Sequence, residues 1–343
     1  MTKKALITGI TGQDGAYLSQ FLLGKGYQIY GGVRRGSTDS NWRLEELQIL
    51  DHIEPIFLEL LEESNLNYIV KTLQPDEIYN LGAMSFVRTS FDYPLYTANV
   101  VGLGVMRLLE AIRQESPHTR FYQASSSEMF GKVKVSPQSE QTPFHPRSPY
   151  AISKCFGHFS VLNYREAYNI HASSGMLFNH ESPLRGLEFV TRKITSTLAQ
   201  IANGKKIVLE LGNLDSKRDW GFAGDYVKAM WLMLQQDKAD DYVIATEEFH
   251  TIREFLEKSA DYLGLTLTYE GKGVDEKIYD QNRNLIAKIN PVHFRPTEVD
   301  LLLGDASKAK TVLNWKPEHS FDNLVKVMIE ADYNKVNKGR RLQ

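Results

Sequence analysis

The chain has 343 residues, of which 42% are hydrophobic and 24% charged: enough apolar material for a substantial core, and too much for a disordered or fibrous protein. Forty Lys and Arg against forty-two Asp and Glu leave a net charge of −2, which argues against bulk nucleic acid as a partner, so any anion is held locally. The single cysteine, Cys155, allows no internal disulfide, no Cys and His cluster has zinc spacing, and no apolar run matches a signal-peptide core or a bilayer span; the expectation is a metal-free, soluble, cytoplasmic protein in a reducing compartment.

Ala5-Leu6-Ile7-Thr8 reads as a short strand ending at glycine, and Ala16 to Gly24 has helical spacing through Tyr17, Leu18, Phe21 and Leu22. Gln28 to Val33 is a second strand. Pro55 to Leu60, Glu77 to Leu81, Arg120 to Ala124 and His171 to Phe178 follow as strands, with helices over Leu66 to Leu73, Asn99 to Glu115 and Tyr150 to Tyr168 between them. Repeated strand-then-helix units imply an α/β fold with a doubly wound parallel sheet. The regularity breaks beyond Arg185, where amphipathic helices near Thr191 to Ala202, Asp225 to Gln235, Thr251 to Leu263 and Phe321 to Lys335 predict a smaller C-terminal lobe. The expected division is a dinucleotide-binding domain over 1–180, to which some later segments return, and mainly a substrate lobe over 181–343.

Between the first strand and the first helix, Thr8-Gly9-Ile10-Thr11-Gly12-Gln13-Asp14-Gly15 sets three glycines three apart, where backbone must approach a pyrophosphate at a helix N-terminus. This predicts a dinucleotide site in a Rossmann fold. There an Asp or Glu closing the second strand usually bonds the ribose 2′-hydroxyl, but here Ile29-Tyr30-Gly31-Gly32-Val33 runs into Arg34-Arg35-Gly36-Ser37. Two guanidiniums suit a 2′-phosphate, so the cofactor is read as NADP rather than NAD. Glu59, after the third strand, is placed to accept from an adenine amine, and Asn80-Leu81-Gly82-Ala83 offers a small-residue surface.

Tyr150-Ala151-Ile152-Ser153-Lys154 puts a phenol and an ammonium four apart, on one helix face. The ammonium is expected to lower the phenol from about 10 towards working pH, so that Tyr150 takes a proton from a sugar hydroxyl as hydride leaves for nicotinamide. Gln123-Ala124-Ser125-Ser126-Ser127-Glu128 ends a strand at the carboxyl edge of the sheet, where ligands bind in such folds. Serines there suffice for alcohol oxidation. Glu128 adds a base able to remove a proton alpha to a new ketone and return it as an acid, which points beyond a plain dehydrogenase.

With the glycine motif, Ala-Ser-Ser-Ser-Glu and Tyr-x-x-x-Lys in this order, the chain resembles an extended short-chain dehydrogenase/reductase of the nucleotide-sugar-modifying kind, and more closely the GDP-mannose 4,6-dehydratase family. Supporting stretches are Pro146-Arg147-Ser148-Pro149-Tyr150, Leu177-Phe178-Asn179-His180-Glu181-Ser182-Pro183, Phe189-Val190-Thr191-Arg192-Lys193, Leu211-Gly212-Asn213-Leu214-Asp215 with Lys217-Arg218-Asp219-Trp220, and Phe294-Arg295-Pro296-Thr297-Glu298-Val299-Asp300, spread from near residue 4 to about residue 333. The resemblance implies cofactor contacts at Gly9, Thr11, Gly12, Gln13, Asp14, Gly15, Arg34, Arg35, Ser37, Glu59, Leu60, Leu81, Ala83, Tyr150, Lys154, His180 and Arg185. It implies substrate contacts at Ser85, Ser126, Glu128, Asn179, Val190, Lys193, Arg218, Arg295 and Glu298, with Lys193, Arg218 and Arg295 facing the GDP diphosphate.

The reaction so implied is an internal redox cycle on a GDP-linked manno-configured sugar. Tyr150, helped by Lys154, oxidises C4 and hydride passes to NADP; Glu128 takes the C5 proton and assists loss of the C6 hydroxyl; the hydride then returns to C6. Three positions depart from the family pattern: Ser126 stands where Thr is usual, Met84 where Gln is usual and Glu59 where Asp is usual. The first two are expected near the sugar, so GDP-D-glycero-D-manno-heptose stands beside GDP-mannose as substrate. An NADPH-dependent GDP-4-keto-6-deoxymannose reductase is the alternative activity, since it needs Tyr150 and Lys154 but no C5 base. The resemblance further implies a homodimer through helices Asn99 to Glu115 and Tyr150 to Tyr168, or a tetramer in which the Arg34-Arg35 loop reaches a neighbour.

Overall fold

The computed structural model describes residues 2–37, 40–293 and 302–343. Six strands of the first half, β1 (Lys4–Thr8), β2 (Gln28–Val33), β3 (Ile53–Phe57), β4 (Glu77–Asn80), β5 (Arg120–Ser126) and β6 (Ala172–Leu177), lie in one sheet in the order β3, β2, β1, β4, β5, β6. A seventh strand, Asp241–Ile244, pairs on the far side of β6. Every pairing is parallel. Parallel strands are covered by helices on both faces and so read as continuous apolar runs: Ala5, Leu6 and Ile7 are fully buried, and so are all six residues of β6. The expected doubly wound sheet is present.

The chain turns back on itself between β1 and β4, and at the carboxyl ends of these strands a buried polar ladder crosses the sheet. Thr8 Oγ1 donates to Asn80 Oδ1 at 2.7 Å, and Asn80 Nδ2 donates to Gln123 Oε1 at 2.8 Å. Gly82 N–H closes on Thr8 Oγ1 at 2.9 Å. At the opposite edge Glu77, also buried, accepts from Lys3 Nζ (3.1 Å), Tyr27 Oη (3.0 Å), Tyr79 Oη (2.7 Å) and Gln235 Nε2 (3.1 Å).

The helix Pro149–Tyr168 is set by its ends. Ser148 Oγ accepts the Ala151 N–H at 3.1 Å, Pro149 sits where its missing N–H costs nothing, and Asn169 turns the chain in the left-handed region. The sequence reads a single helix over 99–115; the structure winds Ala98–Leu103 as a π-helical turn before the helix Gly104–Glu115. The wide turn falls where Gly102 and Gly104 let Phe156 and Leu60 approach. Pro94–Glu115 is long and apolar enough to cross a membrane, but more than half of it is buried, against the helices Glu63–Leu73 and Pro149–Tyr168.

The second half differs from expectation in one respect. The helix Ala223–Gln235, read from sequence as part of the C-terminal lobe, packs on the helix Gln13–Gly24 of the glycine motif, with Tyr226, Met230 and Met233 wholly buried, and the strand Asp241–Ile244 that follows completes the main sheet. Its apolar face is too broad to leave the main core. The lobe itself packs three helices, Val190–Ala202, Ile252–Tyr262 and Phe321–Asn337, with a four-stranded sheet of Thr268–Glu270, Lys277–Tyr279, Leu285–Ile289 and Leu209–Leu211. Arg192 is buried against Asp332, with Nη2 to Oδ1 at 2.7 Å and Nε to Oδ2 at 2.9 Å, which fixes the helix Val190–Ala202 and turns the adjacent Lys193 to the cleft.

Candidate active site

A cavity of about 360 Å³ lies at the carboxyl edge of the sheet, between it and the lobe. The glycine turn forms one end. Gly9 has φ +69, and a Cβ there would stand 2.9 Å from Gly82 N; a Cβ on Gly15 would stand 2.5 Å from Gly9 O. The glycines let β1 and β4 meet and the helix Gln13–Gly24 begin hard against the turn, with its first N–H groups facing out. Asp14 and His180 close this end: His180 Nε2 lies 2.9 Å from Asp14 Oδ2, its Nδ1 lies 2.7 Å from Phe178 O, and its ring stacks on Tyr226 at 4.6 Å. Burial would raise the Asp14 carboxyl, but the His180 charge and hydrogen bond overcome it and hold it at about 2. Burial opposes the His180 charge in the same way, and Asp14 wins there too, raising it.

Ser126, Glu128, Tyr150 and Lys154 come together on one cavity wall. The strand end β5 delivers the first two, and the first two turns of the helix Pro149–Tyr168 deliver the others. Glu128 N–H bonds Ser126 Oγ at 3.2 Å. The expected relation of phenol and ammonium is different in the structure. Burial pushes the Tyr150 phenol well above its usual value; Ser126, as a hydrogen-bond partner, pulls it down and the Glu128 charge pushes it up. Lys154 Nζ lies 5.6 Å from the Tyr150 ring centre and donates to Ala124 O at 2.5 Å, and burial pushes this ammonium down to about 8. Burial is the largest influence on both groups, and at Tyr150 it acts against the expected lowering of the phenol.

Asn179, Val190, Lys193, Arg218, Ser85, Leu81, Ala83 and Arg185 also line the cavity. Arg185 stacks on Phe189 at 3.6 Å and its Nε lies 3.2 Å from Glu181 Oε2. Arg218 is held on a short strand paired with His250, next to Asp219, which is fully buried and accepts from the Thr246 N–H at 2.9 Å and the Glu247 N–H at 3.1 Å. Met84, expected beside the sugar, is not among the lining residues; its neighbours Ala83 and Ser85 are. Gln13 points inward, donating to His180 O at 3.0 Å and accepting from Ser182 Oγ at 2.7 Å, so it braces the turn. Leu60 is buried beneath Gly104 and Gly82. Arg34, Arg35 and Ser37 are exposed past β2, with Arg34 Nη1 donating to Tyr96 Oη at 2.9 Å; Glu59 accepts from the Leu61 N–H at 3.3 Å. Arg295 and Glu298 lie outside the described residues.

Arg88, Glu210 and His293 line the cavity without having been singled out from sequence. They are single residues outside any spaced motif. His293 alone had a usable signal, standing directly before the Phe294 to Asp300 stretch. Among the described residues no group of three or more His, Cys, Asp or Glu is placed to hold a metal.

The glycine cradle, the cavity at the carboxyl edge and the Tyr150 and Lys154 pair have the arrangement of an extended short-chain dehydrogenase/reductase. Solved structures agree on the fold: dTDP-glucose 4,6-dehydratase from Bacillus anthracis in complex with NAD matches with a TM-score of 0.81 at 20% identity, covering 99% of each chain. RMD from Pseudomonas aeruginosa, complexed with NADPH, matches with a TM-score of 0.75 at 21% identity, over 97% of this chain and 100% of that one. The family model for GDP-mannose 4,6 dehydratase matches residues 6–328, and the Drosophila melanogaster GDP-mannose 4,6 dehydratase is 51% identical over 345 residues, covering 98% of this chain and 87% of that protein. The chain belongs to the GDP-mannose 4,6 dehydratase family. Nothing in these relatives supports the reductase alternative.

Proposed function

We propose that the protein removes water from GDP-mannose to give the GDP-linked 4-keto-6-deoxy sugar, with NADP as a recycled cofactor. The observation that carries this is Glu128 opening into the same cavity as Tyr150, close enough for its charge to act on the phenol. A reductase has no use for that carboxyl group.

The glycine cradle and the buried, unpartnered Ser125 Oγ, on the cavity that Lys154 also lines, suit a bound dinucleotide. Gly9, Gly12, Gly15 and the first turn of the helix Gln13–Gly24 would hold its pyrophosphate, Lys154 its nicotinamide ribose, and Arg34, Arg35 and Ser37 a 2′-phosphate. When bound, an oxidised nicotinamide would supply a hydride acceptor and a positive charge, favouring ionisation of a Tyr150 phenol that burial otherwise keeps protonated. Tyr150 then takes the O4 proton, and Ser126 donates to O4. Glu128 removes the proton from C5, made acidic by the new ketone, and delivers it to the departing C6 hydroxyl so that water leaves; the enone left behind would take back the hydride at C6 and a proton at C5, balanced by the proton Tyr150 took from O4. Lys193 and Arg218 hold the diphosphate at the far end of the cavity, with Asn179 and Val190 against the nucleotide.

Ser126 supports a second reading on the same reaction, GDP-D-glycero-D-manno-heptose as substrate. The missing methyl leaves room beside the sugar. The test is incubation with catalytic NADP and each GDP sugar, following loss of about 18 mass units, the mass of one water, by mass spectrometry. Dehydration of either sugar supports the reading and names the substrate; none without added NADPH overturns it.

We take residues up to about 180, with the returning segment 223–245, as the NADP-binding domain and the remainder as the nucleotide-sugar lobe of a cytoplasmic enzyme. The exposed Ile152, Phe156 and Phe159 on the helix Pro149–Tyr168 support a homodimer through that face, with the Arg34-Arg35 loop available to build a tetramer. Light scattering reads the assembly.

A further inference from the structure

The cavity carries a close basic pair. His293 Nε2 lies 3.1 Å from Lys193 Nζ, and both residues line the cavity. An ammonium has donors and no acceptor, so at this distance the imidazole accepts and its Nε2 carries no proton. Among the described residues the other charged groups facing the ring are Glu210, whose Oε2 lies 3.9 Å from Nε2, and Lys288 behind it, 2.9 Å from Glu210 Oε1. Asn290 donates to the same Glu210 Oε2 at 2.9 Å. Glu210 is thus engaged by Lys288 and Asn290, and too far from the ring to be its hydrogen-bond partner.

We propose that His293 is a proton-coupled ligand for the diphosphate of the nucleotide sugar: neutral in the free protein, it takes one proton from solvent as the diphosphate engages Lys193, and its Nε2–H becomes a donor to a phosphate oxygen. No covalent bond to the substrate forms or breaks in this step. Partial desolvation and the Lys193 charge already hold the imidazole of the exposed His293 below its ordinary value, and desolvation holds the half-buried Lys193 down as well. Two cations at 3.1 Å repel, and a doubly negative group set against both reverses the sign of the local field. Binding and protonation are then linked, and affinity falls as pH rises through the window between the free and bound imidazole values. The inference rests on the diphosphate placement proposed above.

The test uses GDP-mannose, whose diphosphate is esterified at both ends and does not titrate near neutrality, with Tyr150→Phe as background so that the sugar is not consumed. Calorimetry in two buffers of different ionisation enthalpy counts protons taken up at pH 7. The expected result is a fractional uptake approaching one proton and an association constant that falls by up to about tenfold per pH unit above neutrality. Adding His293→Gln removes the uptake and flattens the pH dependence, whereas His293→Lys keeps tight binding with no uptake. Absent binding, zero uptake in the background protein, or uptake that survives His293→Gln overturns the proposal. Turnover by the otherwise unaltered protein separates the two readings: dehydration without uptake removes this inference alone, and uptake lost in His293→Gln without dehydration removes the dehydratase reading alone.

Discussion

At the amino edge of the main sheet a carboxyl group, two phenols and an ammonium meet at Glu77, Tyr27, Tyr79 and Lys3; at the carboxyl edge Glu128, Tyr150 and Lys154 repeat the ingredients. The amino-edge groups answer one another, with four donors converging on the Glu77 oxygens. At the carboxyl edge Lys154 spends one donor on a backbone carbonyl, Ser125 Oγ is buried without a partner, and the phenol is held protonated by burial. The same kinds of side chain thus serve stability where they bond one another, and are available for chemistry where they line a cavity.

The largest effect that sharpens this contrast is Tyr150→Phe, expected to lower kcat by about 10³-fold with a melting temperature within a degree or two of the parent. Glu128→Gln should follow the same pattern while retaining cofactor affinity; full activity in it would end the assigned role. At the other edge Glu77→Ala should do the reverse, costing about 3 kcal/mol of unfolding free energy in a urea titration while turnover per folded molecule is unchanged. A large loss of kcat there would break the comparison.

A smaller effect is expected just past β2. Arg35→Ala should weaken NADP by about tenfold and leave NAD affinity alone, read by fluorescence titration. The smallest concerns the Asp14 and His180 pair. The folded imidazole keeps its proton above the ordinary 6.5, so its stabilisation is full below that pH and is lost as pH rises through the folded value; Asp14, held at about 2, keeps its share above its ordinary 3.8 and loses it only as pH falls towards 2. His180→Gln should therefore cost about 1 kcal/mol at pH 6 and less at pH 9, and a cost that grows with pH would refute the pairing.

Much of this was legible in the sequence because it rests on local rules. Gly9 to Gly15, the Ser148-Pro149 start that aims Tyr150 and Lys154, and the strand end at Glu128 are each set within a few residues of themselves. The return of Ala223–Gln235 to the main core depends on which surface its broad apolar face meets, and the protonation of Tyr150 depends on burial from all sides. Neither is written in spacing. His293 matters only because Lys193, a hundred residues earlier in the chain, folds to within 3.1 Å of it.

The strand Asp241–Ile244 has a consequence for the order in which the chain is made. Until it emerges from the ribosome, β6 is an open edge whose backbone donors and acceptors have no neighbour on one side, for more than sixty residues of further synthesis. A nascent chain stalled near residue 200 would carry a nearly complete sheet with β6 as a second unpaired border beside the edge at β3. Full-length chains should refold cleanly, whereas truncations ending before Asp241 should be captured by chaperones or associate edge to edge.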